Sequence, residues 1–312
     1  MRILVAGGAG MIGSHMCDVL VARGDQVVAI DNLLTGRASN VAHLADHPAF
    51  TLVIADVCQP LTVDGHFDAI ADLASPASPL DFATLPLEIL AVGSVGTTNL
   101  LRLAHQHESR FLLASTSEVY GDPLVHPQPE TYWGNVNPVG PRSCYDEAKR
   151  FAEATTNVFR THLGVNTAIA RIFNTYGPRM RPDDGRVVTN FVMQALRNEP
   201  ITIYGDGSQT RSFCYVTDEV DGLLALLDSG HPGPMNIGNQ GEFTIREFAE
   251  LVLEVTGSSS ELEYRPLPVD DPLQRCPDST LAESVLGWRP TIPLHEGLIR
   301  TAEALRRECT DR

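Results

Sequence analysis

Tyr145 and Lys149 stand four residues apart in Tyr145-Asp146-Glu147-Ala148-Lys149, a spacing that places both side chains on one face of a helix. A phenol with a pKa near ~10 is a poor base at neutral pH. A neighbouring ammonium group and a positively charged ring favour the phenolate, and the pair can then take a proton from an alcohol. The same spacing also occurs on ordinary surface helices, so it needs company. Ser115-Thr116-Ser117-Glu118-Val119-Tyr120-Gly121 follows the apolar run Phe111-Leu112-Leu113. If that run is a strand of a parallel sheet, Thr116, Ser117 and Glu118 face a ligand site at its carboxyl end. The Thr116 hydroxyl can then share a substrate alcohol with Tyr145.

A third group sits at the start of the chain. Gly7-Gly8-Ala9-Gly10-Met11-Ile12-Gly13 fits G-x-x-G-x-x-G, a relative of the dinucleotide fingerprint. Such glycines let backbone approach a pyrophosphate, which the N–H groups and dipole of a helix N-terminus then hold. Asp31, 18 residues beyond Gly13, stands where a carboxylate accepts both ribose hydroxyls of an adenosine and repels a 2′-phosphate. The expected cofactor is therefore NAD, with nearby Arg37 as the counter-indication to excluding NADP. Asp56 and Val57 are placed to contact the adenine.

These groups need a scaffold. Short β-branched runs alternate with helical periodicity, as in a parallel sheet with helices on both faces. Strands are expected at Arg2–Ala6, Val27–Ile30, Thr51–Ala55, Ala69–Leu73, Arg110–Ala114 and Thr167–Ile172. Helices are expected at Gly13–Arg23, Pro86–His107 and Tyr145–Leu163. After about Pro178, turns such as Pro182-Asp183-Asp184-Gly185 and Gly205-Asp206-Gly207 break the chain into shorter elements, with a last helix at Pro293–Arg307. The fold class is α/β: a Rossmann-like doubly wound parallel sheet, residues 1–175, with a smaller C-terminal substrate-binding lobe, residues 176–312, parts of which return to the first unit.

Composition bounds the partners. The 312 residues carry a formal net charge of −16, which disfavours nucleic acid over most of the surface. An anionic small molecule needs a local basic pocket. The six cysteines are scattered, with no CxxC pair and no zinc spacing, and Asp183-Asp184 reads as a polar loop, so no metal is expected. No apolar run approaches the ~18 residues of a membrane span. Together with reduced cysteines, this makes a soluble, cytoplasmic protein the expectation.

The assembled motifs resemble the extended short-chain dehydrogenase/reductase superfamily, whose members act on nucleotide-sugars with tightly held NAD. Within it, Ser115–Pro123, Tyr132–Pro138, Ser143–Lys149, Arg171–Met180, Asp184–Asn190 and Thr210–Asp218 resemble the UDP-glucuronate decarboxylase (UDP-xylose synthase) family, from Arg2 to about Glu308. Thr116-Ser117-Glu118 is that family's form of the strand end; sister 4,6-dehydratases carry Thr-Asp-Glu. The resemblance implies an NAD-dependent carboxy-lyase working through a 4-keto sugar, with Tyr145 as base, Lys149 on the nicotinamide ribose, and Thr116, Ser117 and Glu118 around the sugar. It implies Arg275 against the sugar carboxylate, and Asn174, Asn190, Tyr204 and Arg211 on the nucleotide diphosphate. Asn32, Thr35, Leu73, Ala74, Thr175 and Arg186 join the cofactor contacts. It further implies a homodimer through the helices at Pro86–His107 and Tyr145–Leu163.

Three positions depart from the family pattern. Ala91 and Gly93 replace a usual lysine and asparagine, and Asp72 replaces a usual histidine. Ala91 removes a cation expected near the ligands and leaves the uronate open. The competing readings are a UDP-sugar 4-epimerase, a UDP-apiose/xylose synthase and a catalytically silent NAD-binding scaffold.

Overall fold

The structure, a computed structural model, describes residues 1–61, 63–267 and 274–310. Asp271, Pro272 and Leu273, which directly precede Gln274 and Arg275, lie outside the described residues. Seven strands form one parallel sheet: β1 (Arg2–Ala6), β2 (Gln26–Asp31), β3 (Phe50–Ile54), β4 (Ala69–Asp72), β5 (Arg110–Thr116), β6 (Thr167–Ile172) and β11 (Met235–Ile237). Their order across the sheet is β11-β6-β5-β4-β1-β2-β3. In β1, Ile3, Leu4, Val5 and Ala6 are all fully buried, as a central parallel strand covered on both faces must be.

One face packs against α1 (Met11–Ala22), α7 (Val216–Ser229) and α9 (Thr280–Leu286) through Met16, Leu20, Leu223 and Ala282. The other packs against α4 (Thr97–Gln106) and α5 (Ser143–Leu163) through Leu100, Leu101, Ala104 and Ala152. The strand order reverses between β1 and β4, and that switch point opens a crevice at the carboxyl ends of the strands. The expected strands all form within a residue or two of their bounds. Helix α1 begins two residues earlier than expected, because the glycine turn runs directly into it.

The expected single helix at Pro86–His107 is instead α3 (Pro86–Ala91), a widened π turn at Val92–Gly96, and α4. The two glycines of the turn lie against neighbours. A Cβ on Gly93 would stand 2.8 Å from the Ala148 Cβ, and one on Gly96 would stand 2.9 Å from Val57. The widened turn thus lets α5 approach closely.

The lobe has its own core, with Phe191 of α6 (Val187–Leu196), Phe213, Phe248 of α8 (Ile245–Thr256) and Leu298 of α10 (Leu294–Thr310). Short pairs of strands stiffen it: β7 (Thr175–Tyr176) with β10 (Cys214–Tyr215), β8 (Ile201–Tyr204) with β13 (Leu262–Arg265), and β9 (Thr210–Ser212) between β12 (Glu242–Thr244) and β14 (Gln274–Arg275). The β9–β14 pairing carries Arg211 and Arg275 to the crevice side by side. Among the described residues no helix is long and apolar enough to cross a membrane.

Candidate active site

Two cavities meet at the switch point and share Gly7, Gly10, Thr35, Leu73 and Ser75. The smaller, about 250 Å³, is lined by Asp31, Asn32, Asp56, Val57 and Ala74. The larger, about 630 Å³, runs from Met11, Ile12 and Gly13 past Thr116, Ser117, Glu118, Tyr145 and Lys149. It ends among Asn174, Thr175, Arg186, Asn190, Tyr204, Arg211 and Arg275. Every residue singled out in the sequence for cofactor, sugar or chemistry therefore borders one continuous crevice.

The first wall is built from backbone. Gly7 leaves β1 with φ +75°, and a Cβ there would stand 2.7 Å from the Leu73 carbonyl oxygen. A Cβ on Gly13 would run into the Gly7 oxygen, so the turn closes only with glycine at both ends. Helix α1 has no side-chain cap, which leaves its first N–H groups and dipole facing the crevice. Asp31 ends β2, accepting from the Ala9 N–H at 3.0 Å and the Leu33 N–H at 2.8 Å. Burial raises its carboxyl and those two donors oppose the shift. Arg37 is turned away to Glu308 on α10, at 2.8 and 3.2 Å. A glycine cradle, an open helix N-terminus and a carboxylate at the end of the adjacent strand form a set that fits a dinucleotide without a 2′-phosphate.

The second wall is built from side chains. Tyr145 opens the first turn of α5 and stacks on Phe82 of α2 (Pro79–Thr84), ring centres 4.9 Å apart. Burial pushes the phenol up to about 12. A hydrogen bond with Thr116 and the Arg186 charge oppose this, while Glu118 reinforces it. Lys149 Nζ stands 5.9 Å from the Tyr145 ring centre and donates to the Ala114 carbonyl oxygen at 2.8 Å. The lysine thus anchors on β5, and Arg186 is a cation that draws the phenol down. Arg186 is itself held by Asp184, with Nη2 at 2.7 Å from Oδ2.

Glu118 lies on the short 3-10 turn (Ser117–Tyr120) that ends β5, where the Thr116 hydroxyl accepts from the Glu118 N–H at 3.2 Å. Arg275 Nη1 bonds Glu118 Oε1, and Arg142 Nη2 reaches Oε2 at 2.8 Å. Burial alone raises the Glu118 carboxyl; Arg275 and then Arg142 outweigh it and hold the group at about 2. The second Arg275 nitrogen donates to the Gly121 carbonyl oxygen at 3.0 Å. Arg275, only 3% exposed, therefore clamps Glu118, where the resemblance implied an arginine turned to the sugar. Its Nε remains buried and without a partner. Asp146 lies behind this clamp, its carboxyl raised to about 7 by burial and by Glu118.

Three of the implied nucleotide contacts are held by the protein's own backbone. Asn174 Nδ2 donates to the Ser212 oxygen at 3.2 Å, Asn190 Nδ2 to the Gly185 oxygen at 2.9 Å, and Arg211 Nη1 to the Thr210 oxygen at 2.9 Å. The Thr175 hydroxyl donates to the Phe173 oxygen at 2.9 Å. Ala91 borders the smaller cavity with Val92 and Glu88, so the missing cation concerns the side of Asp31 and Asp56, away from Glu118. Sequence reading missed Phe82 and Arg142. Arg142 stands three residues before Tyr145, where helical spacing could have flagged it. Nothing local marks Phe82.

A family model described as GDP-mannose 4,6 dehydratase matches residues 4–301. UDP-glucuronic acid decarboxylase 1 of Arabidopsis thaliana is 53% identical over 306 residues, 98% of this chain and 70% of that protein. UDP-glucose 4-epimerase of Thermotoga maritima, solved with UDP-glucose, superposes with a TM-score of 0.90 at 30% identity, covering 99% of this chain and 100% of that one. A mutant UDP-glucuronic acid 4-epimerase of Bacillus cereus, solved with UDP-4-deoxy-4-fluoro-glucuronic acid and NAD, superposes at 0.87 with 27% identity, covering 99% and 100%. Fold, crevice and identity over nearly the whole of this chain agree: the chain belongs to the UDP-glucuronic acid decarboxylase family, within the nucleotide-sugar enzymes of the GDP-mannose 4,6 dehydratase type.

Proposed function

We propose that the protein decarboxylates UDP-glucuronate to UDP-xylose with NAD as a recycled cofactor. The observation that carries this reading is the meeting of the glycine cradle with Tyr145, Thr116 and the arginine-clamped Glu118 in one crevice. Gly7, Gly10, Met11, Ile12 and Gly13 would hold the pyrophosphate, and Asp31 the adenosine ribose, with Asn32, Thr35, Asp56, Val57, Leu73 and Ala74 around it. Arg37, occupied by Glu308, offers no claim on a 2′-phosphate, which favours NAD over NADP. When bound, NAD supplies the acceptor for hydride from sugar C4 and returns it at the end.

Tyr145 takes the proton of the C4 hydroxyl as that carbon becomes a ketone. Thr116 holds the C4 oxygen, where the electrons of the C5–carboxyl bond collect as carbon dioxide leaves. Glu118 and Ser117 fix the ring or a water near C5, which must regain a proton. Lys149 fixes the nicotinamide ribose. Arg275 and Arg142 give the sugar end a positive wall, which offsets the overall charge of −16 for an anionic substrate. Asn174, Asn190, Tyr204 and Arg211 receive the uridine diphosphate, with Thr175 and Arg186 between sugar and cofactor. In this reading residues 1–175 serve the cofactor and 176–312 mainly the sugar nucleotide.

The same reading makes the protein a cytoplasmic homodimer. Leu87 of α3 and Phe151 of α5 are 75% and 53% exposed, an apolar face on two helices that contact each other and that a second copy would cover. Unpaired cysteines accord with a reducing compartment. The deciding experiment incubates the protein with UDP-glucuronate and NAD and follows carbon dioxide and the sugar by NMR. Carbon dioxide with a UDP-pentose is expected. A new UDP-hexuronate without carbon dioxide would overturn the reading in favour of an epimerase, and a monomeric mass at micromolar concentration would remove the dimer.

A further inference from the structure

Lys149 is the single lysine of the 312-residue chain; the other 22 of its 23 lysine and arginine residues are arginine. Arginine serves almost everywhere a cation is needed, so an ammonium at this position answers a requirement that a guanidinium does not meet. The site is demanding for any ammonium. Lys149 is 6% exposed, its hydrogen bond to Ala114 is to a neutral group, and burial drives a lysine toward the uncharged form.

Two acids act on it. Glu153, one turn along α5, is already engaged by Arg171 at 2.9 and 2.8 Å and by the Ser115 hydroxyl at 2.6 Å, so its charge is largely spent. The other is Asp72, at the carboxyl end of β4. In the β4–β5 register Asp72 lies opposite Leu113, one residue before the carbonyl on which Lys149 anchors. Asp72 is 3% exposed. One oxygen accepts from the Thr97 hydroxyl at 2.9 Å and the other from the Ala74 N–H at 3.3 Å; both partners are neutral. Burial pushes the Lys149 ammonium down and the Asp72 carboxyl up, and each is the strongest charge opposing that shift on the other.

We infer that Asp72 is a positioning residue for the reaction: from the strand beside the lysine's anchor, its carboxylate keeps the buried Lys149 ammonium charged, with Thr97 orienting that carboxylate. Asp72 acts through Lys149. The purpose of the charge, fixing the cofactor ribose beside Tyr145, rests on the decarboxylase reading; the inferred pairing of the two charges does not.

The lone lysine makes the test direct. Protein labelled with ε-13C-lysine gives one lysine side-chain signal, whose titration midpoint is measured with NAD and without sugar. Asp72→Asn preserves shape and removes charge. Its midpoint is expected to fall by about one pH unit or more, tenfold in proton affinity. In turnover, the alkaline limb of kcat moves to lower pH by the same amount with KM for the sugar unchanged, a split that a merely structural residue would not produce. Thr97→Val should lower the midpoint by less, and Thr97→Ser should restore it. An Asp72→Asn midpoint equal to the wild type overturns the inference; if that variant does not fold, an unchanged Thr97→Val midpoint does so. Neither NMR result depends on whether UDP-glucuronate is turned over.

Discussion

The two walls of the crevice are built by different means. The cofactor wall is backbone: glycines at a β1–α1 turn, free N–H groups, and Asp31 tied to its own neighbourhood through Ala9 and Leu33. Its Asp31 hydrogen bonds join residues at most a strand and helix apart. The sugar wall is side-chain charge, with Glu118 held between Arg142 and Arg275, the latter 157 residues away in sequence. The first can be recognised from spacing because glycine geometry is local. The second exists only after β14 pairs with β9 and the lobe closes on the sheet. A rigid turn can bind a constant pyrophosphate, whereas a clamp of paired charges can be re-paired by an anionic ligand.

Breaking the chemistry common to both walls has the largest effect. Tyr145→Phe removes the base and should lower kcat by roughly 10²–10⁴-fold, with NAD retained, as steady-state rates and cofactor content would show. Wild-type turnover would unseat Tyr145. Next comes the clamp: Glu118→Ala leaves buried Arg275 without its carboxylate and should cost about 3 kcal/mol in denaturant unfolding, along with activity. A variant of unchanged stability would mean the clamp is not formed in solution. On the other wall, Gly13→Ala forces the turn open and should cost about 1–3 kcal/mol, with loss of tight NAD but an intact sugar clamp. Equal loss of nucleotide-sugar binding would show that the walls are not separable.

The smallest effect is a difference of pH slopes. Glu118, held at about 2 in the folded state, contributes stability above the unfolded carboxyl range that is lost as pH falls toward 2. Glu219 of α7 belongs to neither wall: burial raises its carboxyl to about 8. The folded protein then carries an extra proton, so stability declines as pH rises from about 4 to 8. Glu219→Gln should be near neutral at pH 5 and stabilising at pH 8, by thermal unfolding at both values. The same change in stability at both pH values would place the ionisation of Glu219 outside the folding equilibrium.

What could be read before folding follows the same division. The strands β1 to β6, the helix after the glycine turn, and Asp31 at the end of β2 are local patterns, and they form within a residue or two of expectation. The interrupted helix at Pro86–Gln106 was not legible, because its widened turn answers the close approach of Ala148 from another helix. Arg275 was singled out, but its partner was not, since no spacing announces an ion pair between a strand end and a distant edge strand. The lone Lys149 was visible as half of a pair with Tyr145, whereas only the β4–β5 register brings Asp72, its inferred charge partner, beside the lysine's anchor. By itself the sequence determined the parallel sheet, the dinucleotide turn and the Tyr145–Lys149 face, because these rest on backbone sterics and the helical and strand repeats. Only the tertiary structure decided which charges meet, because desolvation and pairing depend on residues that the chain keeps far apart until it folds.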